Sequence, residues 1–231
     1  MDINEDLSEF YGILLGDGCI SKYKNQNRIR HIIRIDGNSI TEEIYYKYIK
    51  DLIKKIINKE VKIKYRNYGN NIFIYFCHMK LILFLNEKLN FPYGKKNGLL
   101  KIPKEILKKE KNINALLKGF FDTDGCIYFT KNNSKLRNYP IIELSTHDIN
   151  LLKQIKNILD NKNFNVKISH YKDSLKLHGK KNVLKWMKEI GSSNIDKYSK
   201  FIFWRKFGYC PRIDELPLKQ RLKKINGLAE I

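Results

Sequence analysis

The chain has 231 residues, 42% of them hydrophobic, with 45 lysines and arginines against 24 acids and a formal net charge of +21. That apolar content suffices for one core or for two small, intimately packed ones, and that charge repels further copies of the chain and attracts polyanions, nucleic acid first. No apolar run reaches the length of a membrane span and no stretch concentrates basic residues on an otherwise apolar helix, which puts anionic membrane behind nucleic acid as a partner.

Residues 7–17 read as a helix, with Ser8 or Asp6 as its N-cap and Glu9 in the first turn, where acid is favoured. Gly18 follows as the left-handed residue that ends it. Two strands come next, 19–24 and 28–36, the second setting Arg28, Arg30 and Arg34 against Ile29, Ile33 and Ile35. Ser39 or Thr41 caps an amphipathic helix over 42–58, with Ile44, Tyr48, Leu52 and Ile56 inward. Strand 61–66 alternates Val61, Ile63 and Tyr65 with Lys62, Lys64 and Arg66. A hairpin turn at Tyr68-Gly69-Asn70-Asn71 leads to strand 72–77 and then to a helix over 80–89.

A linker over 91–111, with a short helix near 104–109, separates this α-β-β-α-β-β-α unit from a second one. There, helix 114–124, strands 127–131 and 139–146, helix 148–161, strands 166–171 and 174–178, and helix 181–190 repeat the order; helices over 196–207 and 218–225 follow. The fold class is α+β: two pseudo-symmetric half-domains, 1–90 and 112–231, each a curved antiparallel sheet with helices over its apolar face. The basic faces form a saddle of a width that enters the major groove of DNA, and their number argues against plain solvated sheet faces.

Cys19, Cys77, Cys126 and Cys210 form no C-x-x-C pair and no Cys/His cluster, so reduced, mostly buried thiols are expected in place of zinc or disulfides. The five histidines show no metal spacing. The acidic start Met1-Asp2-Ile3-Asn4-Glu5-Asp6 is unlike a targeting leader, so a protein of the cytoplasm, or of an organelle interior if organelle-encoded, is expected.

The chain also echoes itself. Phe10-Tyr11-Gly12-Ile13-Leu14-Leu15-Gly16-Asp17-Gly18-Cys19-Ile20 returns as Leu117-Lys118-Gly119-Phe120-Phe121-Asp122-Thr123-Asp124-Gly125-Cys126-Ile127. Gly12 and Gly16 lie one turn apart inside an apolar helix, and each costs about 1 kcal/mol relative to alanine. A partner helix packed backbone to backbone on that small face offsets the cost, and Gly119 and Thr123 supply the matching face. The crossing brings Asp17 and Asp124 together at the negative ends of two helices, where they repel by about 4 kcal/mol at ~4 Å and an effective dielectric of ~20. Such a pair needs a proton or a cation; beneath a DNA backbone the natural one is hydrated Mg²⁺.

With both motifs, the repeated element order and the basic charge, the chain resembles the LAGLIDADG homing endonucleases in their single-chain, two-motif form. The segment Trp204-Arg205-Lys206-Phe207-Gly208-Tyr209-Cys210-Pro211 resembles archaeal members. The resemblance implies a monomeric, metal-dependent (Mg²⁺ or Mn²⁺) endonuclease that cleaves double-stranded DNA at a long asymmetric site. It implies metal binding by Asp17 and Asp124, with backbone carbonyls of Gly18 and Gly125 near the metals. It also implies a basic helper near each metal, matched here by Lys96 (with Lys101 as competitor) and Lys197. The first motif departs from the family string, having Leu15 where the second keeps Asp122, a position that makes a capping or structural hydrogen bond. Implied DNA contacts are Lys22, Lys24, Arg28, Arg30, Arg34, Lys62, Lys64 and Arg66 in the first half. In the second they are Tyr128, Thr130, Tyr139, Lys167, Ser169, Lys172 and Lys176. Inteins often carry such domains; without a terminal splicing Cys or His-Asn, a free-standing or intron-encoded enzyme is expected. The alternatives on the same scaffold are a maturase acting on intron RNA and a DNA-binding regulator without catalysis.

Overall fold

Apolar stripes recurring in the same order fold into the same unit twice. A computed structural model describes residues 1–25, 28–66, 68–96, 98–169, 171 and 173–227. The first unit runs α1 (Glu5–Leu15), β1 (Gly18–Asn25), β2 (Arg28–Asn38), α2 (Glu43–Ile57), β3 (Ile63–Tyr65), β4 (Asn71–Phe76) and α3 (Met79–Leu83), which loosens into a π-turn over Phe84–Lys88. A short α4 (Lys104–Leu107) leads to the second: α5 (Glu110–Asp124), β5 (Gly125–Thr130), β6 (Tyr139–Ser145), α6 (Ile149–Asn161), β7 (Val166–Ile168), β8 (Ser174–His178) and α7 (Gly179–Glu189). Beyond it lie α8 (Ile195–Phe207) and α9 (Leu218–Asn226). No helix among the described residues is long and apolar enough to cross a membrane.

The strands make two four-stranded antiparallel sheets, ordered β1-β2-β4-β3 and β5-β6-β8-β7, with all-antiparallel pairings. This is the α+β architecture read from the sequence. The sheets bury equivalent faces. Ile20, Ile33, Ile35, Ile72 and Ile74 lie under Ile49 and Ile53 of α2; Ile142, Leu144, Leu175 and Leu177 lie under Ile155 and Leu159 of α6, all fully enclosed.

Local details depart from expectation where capping and phase compete. Asn4, not Ser8 or Asp6, caps α1: its backbone is extended and its Oδ1 accepts from Leu7 N at 2.9 Å. Neither Ser39 nor Thr41 caps α2, which starts after Glu42 without a side-chain cap. Its buried stripe is Tyr45, Tyr46, Ile49, Leu52 and Ile53, so Ile44 is exposed rather than inward. Ile29 is exposed as well, because the β1–β2 ribbon runs past its covering helices. α5 begins at Glu110, inside the expected linker. Gly18 is the first residue of β1 and Gly125 the first of β5; neither is left-handed. A Cβ on Gly18 would meet Leu14, and one on Gly125 would lie 2.7 Å from the Phe121 carbonyl oxygen, so close approach requires these glycines. All four cysteines are free, but burial is the exception: Cys77 and Cys126 are exposed and Cys210 is buried.

Candidate active site and nucleic-acid interface

The site starts from two helices that touch through their backbones. A Cβ added to Gly12 would overlap the Leu116 carbonyl oxygen and lie 2.9 Å from Phe120 N. One added to Gly119 would overlap the Glu9 carbonyl oxygen and lie 3.0 Å from Ile13 N. The relation is reciprocal, as a pseudo-two-fold axis between α1 and α5 requires. At the far end, Gly16 faces Thr123, and its added Cβ would lie 3.3 Å from Asp124 Cγ. The crossing is pinned at its other end by a buried network that sequence reading missed. Glu9, assigned above only to a favourable first turn, is 4% exposed, pairs with Lys118 at 2.8 Å across the helices, and accepts from Tyr48 Oη at 2.8 Å and Ser193 Oγ at 3.2 Å.

Where the helices end, two carboxylates meet two ammoniums. Lys96 Nζ donates to the carbonyls of Leu14 (3.2 Å), Leu15 (3.1 Å) and Gly16, the end of α1. Lys197 Nζ donates to the carbonyls of Phe121 (2.7 Å) and Thr123 (3.1 Å), the end of α5. Each lysine thus neutralises the negative end of one motif helix, the place where a carboxylate is least welcome. Burial still dominates. It pushes Asp17 up to about 7, aided by Asp124 and Glu42 and opposed by Lys197 and Lys96. It raises Asp124 too, against Lys96, Lys197 and His147. Both lysines are lowered by burial, with the site's acids pulling the other way.

Asp122 is fully buried and holds a loop. It accepts from Ser192 Oγ at 2.5 Å and Ser193 N at 2.6 Å, and its carbonyl accepts from Asn194 Nδ2 at 3.1 Å. Burial sets its carboxyl at about 6, with Lys197 and these donors opposing. Leu15, its counterpart in α1, is buried among apolar neighbours. Glu42 and His147, each just past the second strand of its unit, act on Asp17 and Asp124 respectively. Neither carried a sequence signal, since both sit in loops whose placement only the tertiary fold decides. His147 lines a cavity of about 310 Å³ with Lys96, Asp124, Thr146 and Asp173.

Register sorts the candidate DNA contacts by face. Arg34, Arg30 and Arg28 pair with Cys19, Tyr23 and Asn25, on the sheet face away from the core. Lys22 and Lys24 lie opposite His31 and Ile29, in the row of Ile20 and Ile33. They are exposed, yet they belong to the other face from the arginines, and the reading that grouped them is corrected by the period-two alternation of β1. Lys64 pairs with Phe73 and, with Lys62 and Arg66 alternating beside it, joins the arginine face. That face is organised: Asp36 accepts Arg34 Nε and Nη2, each at 2.7 Å, and approaches Arg66 at 3.9 Å. Arg34 lies over Phe73 at 4.5 Å, and Lys64 donates to Tyr75 Oη at 2.8 Å. In the second sheet Tyr128, Thr130, Tyr139, Lys167 and Lys176 share one face. Glu143 sits among them, 3.4 Å from Lys176, and accepts from Ser174 Oγ at 2.6 Å. Ser169 closes the β7–β8 turn on Asp173 at 2.7 Å. Lys172 lies outside the described residues.

Comparison with known proteins agrees with this architecture. Residues 111–202 match the family model described as the LAGLIDADG-like domain. The structure of I-DmoI in complex with DNA and Mn superposes with a TM-score of 0.57 at 17% identity, covering 83% of this chain and 99% of that one. The I-LtrWI LAGLIDADG homing endonuclease bound to target DNA gives 0.60 at 12% identity, covering 98% and 97%. I-SmaMI bound to uncleaved DNA target with calcium ions gives 0.59 at 12%, covering 98% of each chain. Among curated proteins, the replication factor C small subunit of Methanocaldococcus jannaschii is 32% identical over 126 residues, 54% of this chain and 6% of that protein. An A-type ATP synthase subunit of Pyrococcus abyssi is 27% identical over 135 residues, 58% of this chain and 12% of that protein. The chain spans so little of these two proteins that their named activities stay with them. A LAGLIDADG-like domain lies in the second half of this chain, and from end to end the fold is that of the LAGLIDADG homing endonucleases.

Proposed function

We propose that the chain is a site-specific double-strand DNA endonuclease of the homing type, acting as a monomer on a long asymmetric target with Mg²⁺ or Mn²⁺. The observation that carries the reading is the glycine-lined crossing of α1 and α5, which sets Asp17 and Asp124 together between two sheets with basic outer faces. Solved proteins of this fold were captured on DNA, I-DmoI with manganese and I-SmaMI with calcium.

The donor set fits a hard divalent cation completed by substrate. Among the described residues, no three His, Cys, Asp or Glu side chains gather as a metal cage. Two neighbouring carboxylates, both raised by burial and Asp17 also by the charge of Asp124, are a set that Mg²⁺ takes together with water and phosphate oxygens. Asp17 and Asp124 would hold the metal, with carbonyls near Gly18 and Gly125 beside them. When bound, the ion would supply an activated water and charge stabilisation at the leaving oxygen. The residues themselves do the rest. The arginine and lysine faces bind phosphates and orient the duplex. Lys96 and Lys197 hold positive charge next to the reacting phosphates. The two unlike sheet faces read two unlike half-sites, which is why a single chain serves an asymmetric target.

Selection of cleaved sequences from a randomised duplex library in Mg²⁺ tests the reading, and recovery of one defined long site is expected. Asp17→Asn and Asp124→Asn should keep binding that site while nicking stops. Cutting by both variants would refute the site assignment, and site-specific binding without cutting by the parent chain would leave a regulator.

A further inference from the structure

The helices beyond the second seven-element unit, α8 and α9, have no counterpart in the first unit among the described residues. α8 carries Lys197 in its first turn, and that turn is gripped from two sides. On the α5 side, Asn194, the N-cap of α8, donates Nδ2 to the Asp122 carbonyl at 3.1 Å while its Oδ1 accepts from Asp196 N at 3.1 Å. From α9 comes Arg221, whose side chain is fully buried. Its Nε donates to Ser199 Oγ at 3.0 Å, and its Nη2 donates to the Asp196 carbonyl at 3.2 Å and to Asp196 Oδ1 at 2.5 Å. Nη1 donates to the Leu216 carbonyl at 3.3 Å. Asp196 Oδ2 is held in turn by Lys200 at 2.6 Å.

A guanidinium taken wholly out of water is costly unless its fork is filled, and a filled fork permits one geometry. Three of the four acceptor contacts belong to Asp196 and Ser199, the residues that bracket Lys197 in the sequence. Lysine has a flexible four-carbon stem, so where its ammonium rests depends on the backbone that anchors it. Lys197 is itself 9% exposed, with its ammonium on the Phe121 and Thr123 carbonyls.

We propose that Arg221 is a positioning residue: by gripping Asp196 and Ser199 it fixes the turn of α8 that presents the Lys197 ammonium to the end of α5 beside Asp124. The C-terminal helix, outside the repeated unit, is then part of the second half-site. The consequence for cleavage rests on the endonuclease reading; the positioning itself does not.

The test uses the full chain without metal or DNA. Reductive methylation followed by peptide mass spectrometry reads the accessibility of each lysine. In Arg221→Met, the modification rate of Lys197 should rise about tenfold, a local opening. Lys118, half-buried with its ammonium paired to Glu9 across α1 and α5, should stay at its parent rate, and Arg221→Lys should restore part of the protection of Lys197. An unchanged Lys197 rate overturns the proposal. So does a parallel rise at Lys118, which would mean general loosening. Should Arg221→Met fail to fold, Asp196→Asn, which keeps the volume and the carbonyl contact, is judged by the same two lysines. On a cleavable duplex, the Arg221 variants should slow nicking of one strand about tenfold in kcat with KM for DNA unchanged; equal slowing of both strands also overturns it. A parent chain that cuts no duplex would sink the endonuclease reading and leave the methylation result standing.

Discussion

The two halves meet the same electrostatic problem with different parts. Each has a buried helix with an aspartate at its end (Asp124 in α5) or two residues past it (Asp17 after α1), and each stabilises that end with one lysine. In the first half the lysine comes from the linker and the aspartate faces another acid, Glu42; in the second it comes from α8 and the aspartate faces an imidazole, His147. In the first half the helix interior is apolar at Leu15; in the second, Asp122 ties down the loop that starts α8. The repeat kept what the crossing demands, the small faces and the terminal carboxylates. The supports differ, because any cation that reaches the last carbonyls of a helix relieves its dipole.

The largest effect expected is at the shared crossing. Gly12→Val and Gly119→Val both drive side-chain atoms into a facing carbonyl, and each should cost about 4 kcal/mol or more in denaturant unfolding, alike in both halves. A difference of more than about 2 kcal/mol between them would break the pseudo-symmetry of the contact.

Next come changes that exchange the halves' solutions. Leu15→Asp buries a carboxylate with no serine loop to receive it, and Asp122→Leu strips Ser192, Ser193 and Lys197 of a partner. Each should destabilise by about 3 kcal/mol. Only Asp122→Leu should also free the 192–194 loop, read as faster amide exchange at Ser193.

The carboxylates themselves sharpen the contrast through pH. The Asp17 pKa is raised in the folded chain, from 3.8 to about 7, so the stability it contributes is full below pH 4 and is lost as pH rises through 7. Asp17→Asn should therefore stabilise the metal-free chain at pH 8 by on the order of 2 kcal/mol and leave it nearly unchanged at pH 4, measured by urea unfolding. Asp124→Asn should give the same sign with a smaller amplitude. Divalent-metal affinity, by the same linkage, should fall as pH drops below about 7.

The smallest stability effect belongs to the outer faces. Arg34→Ala removes an exposed pair with Asp36 and should change stability by less than about 1 kcal/mol. It should lower the salt slope of DNA binding by about 0.9 if it meets one phosphate. Lys22→Ala, on the opposite face of β1, should leave that slope alone.

Much of this was readable because it rests on local periodicity. Alternation in residues 28–36 marked a half-buried strand, residues 148–161 read as a helix, and both formed, the helix over Ile149–Asn161. Glycines one turn apart in an apolar helix announced a close partner, since nothing within the helix rewards them. The failures were of phase and of distance. Ile44 and Ile29 obey their local patterns but fall outside the core's reach, and Lys22 and Lys24 were grouped by charge where alternation puts them on the other face.

By itself, then, the sequence determined the repeated unit, the small faces of α1 and α5 and the two terminal aspartates, because each follows from interactions within a turn or two of chain. Only the tertiary structure decided that Glu9 would pair with Lys118, that Lys96 and Lys197 would close the helix ends, and that Arg221 would anchor α8. Those are single contacts between residues distant along the chain, and no local period encodes them. A buried charge takes the partner that folding brings within reach, and desolvation makes that choice binding.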